Sequence, residues 1–128
     1  MSNIRALIVD DSSVMRKIVE RCLRQAGVEL ATVYEASNGA EGLAVVGSNQ
    51  VDLILSDINM PVMDGLEFVK NLQAAANAKG IPIVMITTEG GEAQVTQAIS
   101  LGAKGYIRKP FTPDQVKQHV VPLLRVDR

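Results

Sequence analysis

At 128 residues the chain has the length of one domain, and with 47% hydrophobic residues it can bury a substantial core. Lys and Arg number 13 against 14 Asp and Glu, so a net charge of -1 provides no overall field that would draw the protein to nucleic acid or to an anionic membrane. We therefore expect a single domain over residues 1–128 without an effector domain, and partners that are neither nucleic acid nor membrane.

The N-terminus and the cysteine usage indicate a cellular compartment. Residues 1–5 lead directly into a strand-like run without a signal-peptide core, and no apolar stretch reaches the ~20 residues that span a bilayer. The single cysteine, Cys22, excludes an internal disulfide and fits a reducing compartment, and its place in a helical apolar pattern indicates core packing. A soluble, cytoplasmic protein is expected.

Strand-like runs alternate with segments of helical period along the chain. The runs are Ala6–Val9, Ala31–Tyr34, Leu53–Leu55, Ile83–Ile86 and Gly105–Ile107. Several are continuously apolar, which is typical of strands covered on both faces. Apolar residues recur three or four positions apart, as on one face of a helix, in three segments: Val14, Ile18 and Cys22; Leu66, Val69 and Leu72; and Val116, Val120 and Leu124. The alternation predicts a doubly wound (βα)5 fold of the α/β class, with five parallel strands and helices on both faces of the sheet.

Polar residues and glycines mark the ends of the predicted helices. Capping-box spacing occurs at Asn38 with Glu41, Asp64 with Glu67, and Thr112 with Gln115. Glycines that follow a periodic segment predict left-handed helix ends at Gly27, Gly47, Gly80 and Gly102.

Five side chains stand at or shortly after the predicted strands: Asp10, Asp11, Asp57, Thr87 and Lys109. Parallel strands end at one edge of the sheet, where such folds bind ligands, so we expect these side chains to lie close together. Crowded carboxylates repel one another, and a hard divalent cation with oxygen ligands would relieve that repulsion, which favours Mg²⁺. The chain offers no Cys or His cluster for zinc, and its only histidine, His119, is predicted to lie at the surface.

Asp57 stands where the third strand is predicted to give way to a loop, exposed enough for its carboxylate to attack phosphorus. An acyl phosphate needs its charge offset by a metal, an ammonium and a neutral donor, places that Mg²⁺, Lys109 and Thr87 would fill. The simpler interpretation is that each residue acts alone, as a helix cap, a turn residue or a solvated lysine. Their coincidence at the ends of four strands favours the phosphoryl site.

With these residues assembled, the chain resembles a receiver domain of two-component response regulators, of the single-domain chemotaxis type. The segments that carry the resemblance are Leu7–Ser12, Asp57–Gly65 and Gly105–Phe111, and it covers nearly the whole chain. The resemblance implies a flavodoxin-like strand order of 2-1-3-4-5, and this order rests on the family alone, because the strand pattern leaves it open. It also implies a signalling protein, not an enzyme, that assists only its own phosphorylation and dephosphorylation.

The resemblance also assigns a role to each residue of the metal and phosphoryl site. Asp57 would be the phosphoacceptor and a metal ligand. Asp11 would bind Mg²⁺ directly, Asp10 largely through water, and the Asn59 carbonyl would be the remaining protein ligand.

The remaining roles concern the phosphoryl oxygens and the conformational switch. Thr87 and Lys109 would contact the phosphoryl oxygens, and the bond from Lys109 to Pro110 would be cis. Tyr106 would be the aromatic switch that turns inward when the Thr87 hydroxyl is drawn toward the phosphate. Receivers commonly carry a small residue after this threonine, so Thr88 implies altered dephosphorylation or phosphodonor access.

The expected partners follow from the same resemblance. A histidine kinase would donate the phosphoryl group, and the face formed by the fourth helix, fifth strand and fifth helix would bind an output protein such as a flagellar motor switch component. A phosphatase is a further expected partner, and the chain is expected to be a monomer. The runner-up is a lone receiver that serves as a phosphate sink or in a pathway other than chemotaxis.

Two rival classes remain open at this point. A phosphohydrolase of the haloacid dehalogenase type also uses an Asp nucleophile beside Mg²⁺, but it carries a second Asp two residues on, where this chain has Asn59. A flavodoxin-like cofactor binder would need a phosphate-binding loop, and the chain has no Gly-rich motif of that kind.

Overall fold

The computed structural model describes residues 3–75, 80–87, 92–109 and 111–125. The expectations about Thr88 and about the peptide bond to Pro110 lie outside these residues. Within the described ranges, every helix is too short or too polar to cross a membrane.

The strands form one parallel sheet in the order β2-β1-β3-β4-β5, which is the predicted order. Their bounds are β1 (Ile4–Val9), β2 (Leu30–Ala36), β3 (Leu53–Asp57), β4 (Ile83–Thr87) and β5 (Gly105–Arg108). Each predicted apolar run lies within an observed strand. The observed strands are longer than the runs, because polar residues at their ends also pair in the sheet. Asp57 pairs with Ile86, and Thr87 pairs with Arg108, so both candidate site residues are held by the sheet itself.

The helices are α1 (Ser13–Gln25), α2 (Gly39–Ser48), α3 (Gly65–Ala74), α4 (Glu92–Leu101), α5 (Pro113–His119) and α6 (Val121–Arg125). The predicted caps are confirmed, because the side chains of Asn38, Asp64 and Thr112 each accept the backbone N–H three residues on. Ser12 caps α1 in the same way, so capping does not account for Asp10 and Asp11.

Two of the predicted glycine helix ends are confirmed and two are wrong. Gly27 and Gly102 follow α1 and α4 with φ of +95° and +126°. Gly47 lies inside α2, because Asn49 ends that helix with its side-chain amide, which donates to the Val45 carbonyl at 3.0 Å. Gly80 has φ of +94°, but α3 already ends at its cap Ala75, so Gly80 does not close it.

The predicted last helix is broken into α5 and α6. Pro122 has no N–H to bond the carbonyl one turn earlier, and its ring crowds that carbonyl, which interrupts the helix around Val120. The predicted apolar face is retained, since Val116, Val120 and Leu124 are all buried. Val14 departs from its predicted pattern, because it is 69% exposed on the first turn of α1.

Two apolar cores cover the two faces of the sheet, as predicted. Alternate residues of one strand point to opposite cores: Ile8 packs with residues of α1 and α5, and Leu7 packs with residues of α2, α3 and α4. Cys22 lies in the first core, and its thiol donates to the Phe111 carbonyl at 3.5 Å. Burial raises the pKa of that thiol, which agrees with a core role. Each fully buried Leu, Ile or Phe contributes about 1.5–3 kcal/mol.

Candidate functional site

Three acidic side chains meet at the carboxyl end of the sheet. Because β1 and β3 are neighbours, Asp10 and Asp11 lie beside Asp57, and one carboxylate oxygen of each lies within 4.8 Å of the others. Thr87 ends the adjacent strand β4, where it is buried, and Lys109 follows β5. The predicted convergence is therefore present for Asp10, Asp11, Asp57 and Lys109, and Thr87 lies at the end of the strand next to Asp57.

Asp10 is the most deeply buried member of the acidic cluster, at 1% exposure. Its Oδ1 accepts the Ser12 N–H at 2.9 Å, and its Oδ2 has no hydrogen-bond partner among the described residues. Burial raises the pKa of Asp10, and the charges of Asp57 and Asp11 raise it further, against the opposing effects of the Ser12 N–H and Lys109. A buried oxygen without a partner is costly, and a cation in the cluster would offset that cost.

Asp57 is held by the chain that follows it. Its Oδ1 accepts the Ile58 N–H at 2.8 Å, and its Oδ2 lies 3.8 Å from the Lys109 Nζ. Burial raises the pKa of Asp57, while Lys109 and the N–H groups of Ile58 and Asn59 lower it. The side chain is only 11% exposed, less than the sequence suggested, because the ladder of β3 extends through this residue.

Gly65 brings the start of α3 against Asp57. The Gly65 N–H donates to the Ile58 carbonyl at 2.7 Å. A methyl group on Gly65 would collide with the Asp57 carbonyl oxygen and would lie 2.8 Å from the Ile58 Cα. Only glycine permits this approach of helix to strand, and the sequence did not single out Gly65 for it.

Lys109 is tied to β4 through its backbone and to the carboxylates through its side chain. Its N–H donates to the Thr87 carbonyl at 2.7 Å. Its Nζ lies 4.0 Å from the Asp10 Oδ2 and 3.8 Å from the Asp57 Oδ2. The ammonium can therefore offset charge on both carboxylates at once.

Asn59 and Tyr106 lie at the surface. Asn59 is exposed two residues beyond Asp57. Tyr106 of β5 is 38% exposed, and its ring stacks on the ring of His119 in α5, with the centroids 6.0 Å apart and the planes 25° apart. His119 is exposed, as predicted.

Two cationic side chains near the acidic cluster, those of Arg16 and Lys17, were not predicted from the sequence. The Arg16 Nη1 donates to the Asp10 carbonyl at 2.6 Å, and the Arg16 Nε donates to a Glu35 oxygen at 2.7 Å. Lys17 binds the other Glu35 oxygen at 2.9 Å, and these hydrogen bonds lower the pKa of Glu35. The pairing of β1 with β2 could have suggested the contact, since it brings β2 beside the end of β1.

Comparison with known proteins identifies the family. The sequence pattern of the response regulator receiver domain matches residues 6–121. The chain belongs to the response regulator receiver family. This receiver is 42% identical to the chemotaxis protein CheY1 of Helicobacter pylori over 94% of the chain and 97% of that protein.

Two further relatives give the same result. The receiver is 39% identical to CheY-3 of Vibrio cholerae over 91% of the chain and 88% of that protein. The structure of the chemotaxis response regulator CheY4 of Vibrio cholerae matches with a TM-score of 0.79 and 38% identity, over 91% of this chain and 95% of that one. The chain is thus a signalling receiver of the CheY type, which favours this interpretation over the phosphohydrolase and the flavodoxin-like binder.

Proposed function

We propose that this receiver takes a phosphoryl group from a histidine of a partner kinase onto Asp57 and then binds an output protein in chemotaxis. The observation that supports this most directly is the cluster of three carboxylates within 4.8 Å of one another, with the Lys109 ammonium within 4.0 Å of two of them. The similarity to CheY proteins supports a flagellar motor switch component as the output partner. A kinase and a phosphatase are the other proposed partners, and the receiver would act as a monomer.

The donor set fits Mg²⁺. Asp11, Asp57 and the Asn59 carbonyl would hold the ion, with Asp10 acting through water, and all of these are hard oxygen donors. The buried Asp10 Oδ2, which has no hydrogen-bond partner among the described residues, supports a cation at this place. When bound, Mg²⁺ would supply positive charge against the phosphoryl oxygens.

The chain's own groups would orient the reaction. The Ile58 N–H fixes one oxygen of Asp57 and leaves the other facing Lys109. A bond would form from a carboxylate oxygen to phosphorus as the bond from phosphorus to the histidine nitrogen breaks. Lys109 and Thr87 would then contact the phosphoryl oxygens and offset their charge.

Phosphorylation would act by shifting a conformational equilibrium. The contacts of Thr87 and Lys109 with the phosphoryl group would favour a state in which Thr87 moves and Tyr106 turns inward. In the present conformation Tyr106 faces outward against His119. The face formed by α4, β5 and α5 would consequently differ between the two states.

Asp57 phosphorylation has a direct test. Incubation with acetyl phosphate and Mg²⁺ is expected to add one phosphoryl group to the wild type and none to Asp57→Asn, as read by intact mass. Asp64→Asn is the matched control, because it changes an exposed aspartate of the same loop and keeps a residue that caps α3. Equal labelling of Asp57→Asn and the wild type would place the acceptor elsewhere.

The stacking of Tyr106 on His119 predicts that His119→Ala eases the switch. An aromatic pair is worth about 0.5–1.5 kcal/mol, and at this exposed position we expect the lower end, so the inward population should rise about twofold. NMR relaxation dispersion on labelled Tyr106 measures that population. Gln118→Ala, at an exposed neighbouring position of α5, should leave it unchanged. Identical populations in both variants would show that the stacking does not hold Tyr106 outward.

A further inference from the structure

Arg16 joins the end of β1 to the neighbouring strand β2. From the first turns of α1, its Nη1 donates to the Asp10 carbonyl at 2.6 Å and its Nε donates to Glu35 at 2.7 Å. The Arg16 side chain is only 17% exposed. Because a guanidinium is planar and its donors point in fixed directions, the Glu35 contact determines where the other donor holds the Asp10 carbonyl.

Three hydrogen bonds hold Asp10, two through its backbone and one through its side chain. Its N–H donates to the Ala36 carbonyl at 3.0 Å, its Oδ1 accepts the Ser12 N–H at 2.9 Å, and its carbonyl accepts from Arg16. This carbonyl belongs to the peptide unit that joins Asp10 to Asp11. Fixing that peptide plane fixes the point from which the exposed Asp11 side chain leaves the backbone.

We propose that Arg16, anchored by Glu35, is a positioning residue that sets the directions of the Asp10 and Asp11 carboxylates toward a divalent cation. The inference rests on the proposed function, since it requires Mg²⁺ to bind in the acidic cluster. Loss of a group that orients a metal ligand without touching the metal commonly weakens metal binding about 10–100-fold. Arg16 is such a group, because it reaches the ligand-bearing peptide and not the carboxylates.

Comparison with Lys17 distinguishes the positioning role of Arg16 from a simple effect of its charge. Lys17 binds the same Glu35 carboxylate at 2.9 Å, but its side chain is 65% exposed and its hydrogen bond goes to Glu35, not to the Asp10 peptide. Loss of either cation removes one positive charge from the same end of α1, which by itself would slightly favour Mg²⁺. Loss of positioning would disfavour Mg²⁺, so the two mechanisms predict opposite signs.

The experiment is calorimetric titration of Mg²⁺ into the wild type, Arg16→Ala, Arg16→Lys and Lys17→Ala at one pH and ionic strength. Arg16→Ala is expected to bind Mg²⁺ about tenfold more weakly than the wild type. Arg16→Lys should also bind more weakly, because lysine keeps the charge but lacks the planar pair of donors. Lys17→Ala should match the wild type or bind slightly more tightly. Circular dichroism shows which variants are folded.

The outcomes separate this inference from the function on which it rests. A wild type that takes up no Mg²⁺ would overturn the proposed metal site itself. A wild type that binds Mg²⁺, with Arg16→Ala and Lys17→Ala equal in affinity, would overturn the positioning role alone. If Arg16→Ala does not fold, Arg16→Lys decides: wild-type affinity in that variant would leave only a charge effect and would refute the proposal.

Discussion

Gly65→Ala is expected to lower the free energy of unfolding by about 3 kcal/mol, the upper part of the usual range for overpacking. The added methyl group would collide with the Asp57 carbonyl and lie 2.8 Å from the Ile58 Cα and 2.9 Å from the Met85 methyl group. Two of these three atoms belong to backbone, which cannot rotate away as a side chain can. Relief therefore requires α3 to shift away from the end of β3. Urea unfolding followed by circular dichroism measures the loss.

The same substitution at Gly47 provides the control. Gly47 lies in the last turn of α2, and a methyl group there would meet no atom within 4 Å. Gly47→Ala is expected to raise the free energy of unfolding by about 0.5 kcal/mol, because alanine favours helix more than glycine does. We also expect Gly65→Ala to slow the labelling of Asp57 by acetyl phosphate, and Gly47→Ala to leave it unchanged. Equal stability of the two variants would contradict the close packing of α3 on β3.

Asp10→Asn is expected to have opposite effects on stability and on metal binding. Without divalent cations, it should raise the free energy of unfolding by about 1 kcal/mol, since it removes a buried charge whose Oδ2 has no hydrogen-bond partner among the described residues. It should also weaken Mg²⁺ binding about tenfold or more. Saturating Mg²⁺ should therefore stabilise the wild type, and the same concentration should stabilise Asp10→Asn less.

The dependence on pH gives this prediction a second measurement. Burial raises the pKa of Asp10 and of Asp57, so over the range between the ordinary and the raised values the folded protein binds more protons than the unfolded chain. The metal-free wild type should consequently lose stability from these two groups as the pH rises through their raised pKa values. Asp10→Asn lacks one of them, so its advantage over the wild type should be greatest above this range and should shrink in acid.

Asp114→Asn is the control for a general effect of charge. Asp114 is an exposed carboxylate in the first turn of α5, where a negative charge is favourable, so its removal should cost about 0.3 kcal/mol. A destabilised Asp10→Asn in metal-free buffer, or an advantage over the wild type that does not change with pH, would mean that burial and repulsion do not strain the cluster.

Local sequence signals predicted most of the fold. Buried parallel strands need apolar residues on both faces, so runs such as Ile83–Ile86 are visible without any partner. Helix starts are equally local, since Asn38 and Thr112 contact N–H groups only three residues away. The arrival of Asp10 and Asp57 at one edge was also predictable, because parallel strands end there. Their close approach further requires β1 and β3 to be neighbours, and only the family resemblance implied that order.

The errors arose where local signals competed. Asn49 satisfies a carbonyl at the end of α2, so the helix needs no left-handed glycine and extends through Gly47. Pro122 was visible in the sequence, but the regular spacing of apolar residues around it favoured one continuous helix. Asp57 is more buried than predicted because the polar end of β3 still pairs with β4.

The features that the sequence could not predict depend on contacts in three dimensions. Arg16 and Glu35 are 19 residues apart, and their contact requires both the pairing of β1 with β2 and a particular direction of each side chain. The approach of Gly65 to Asp57 depends on how closely α3 packs against the sheet. The spacing of residues along the sequence determines neither the distance from Arg16 to Glu35 nor the distance from Gly65 to Asp57.

The backbone hydrogen bond between Lys109 and Thr87 has a consequence for engineering. Since it uses main-chain atoms, this contact between the ends of β4 and β5 does not require a particular side chain after Arg108. A different side chain, other than proline, could be placed at position 109 without loss of this hydrogen bond. Inserting one residue ahead of it would instead place a different residue opposite the Thr87 carbonyl and shift Lys109 away from the carboxylates. Chimaeras that recombine two receivers should therefore keep the length of the segment ahead of Lys109 constant and should retain the lysine, whose ammonium faces Asp10 and Asp57.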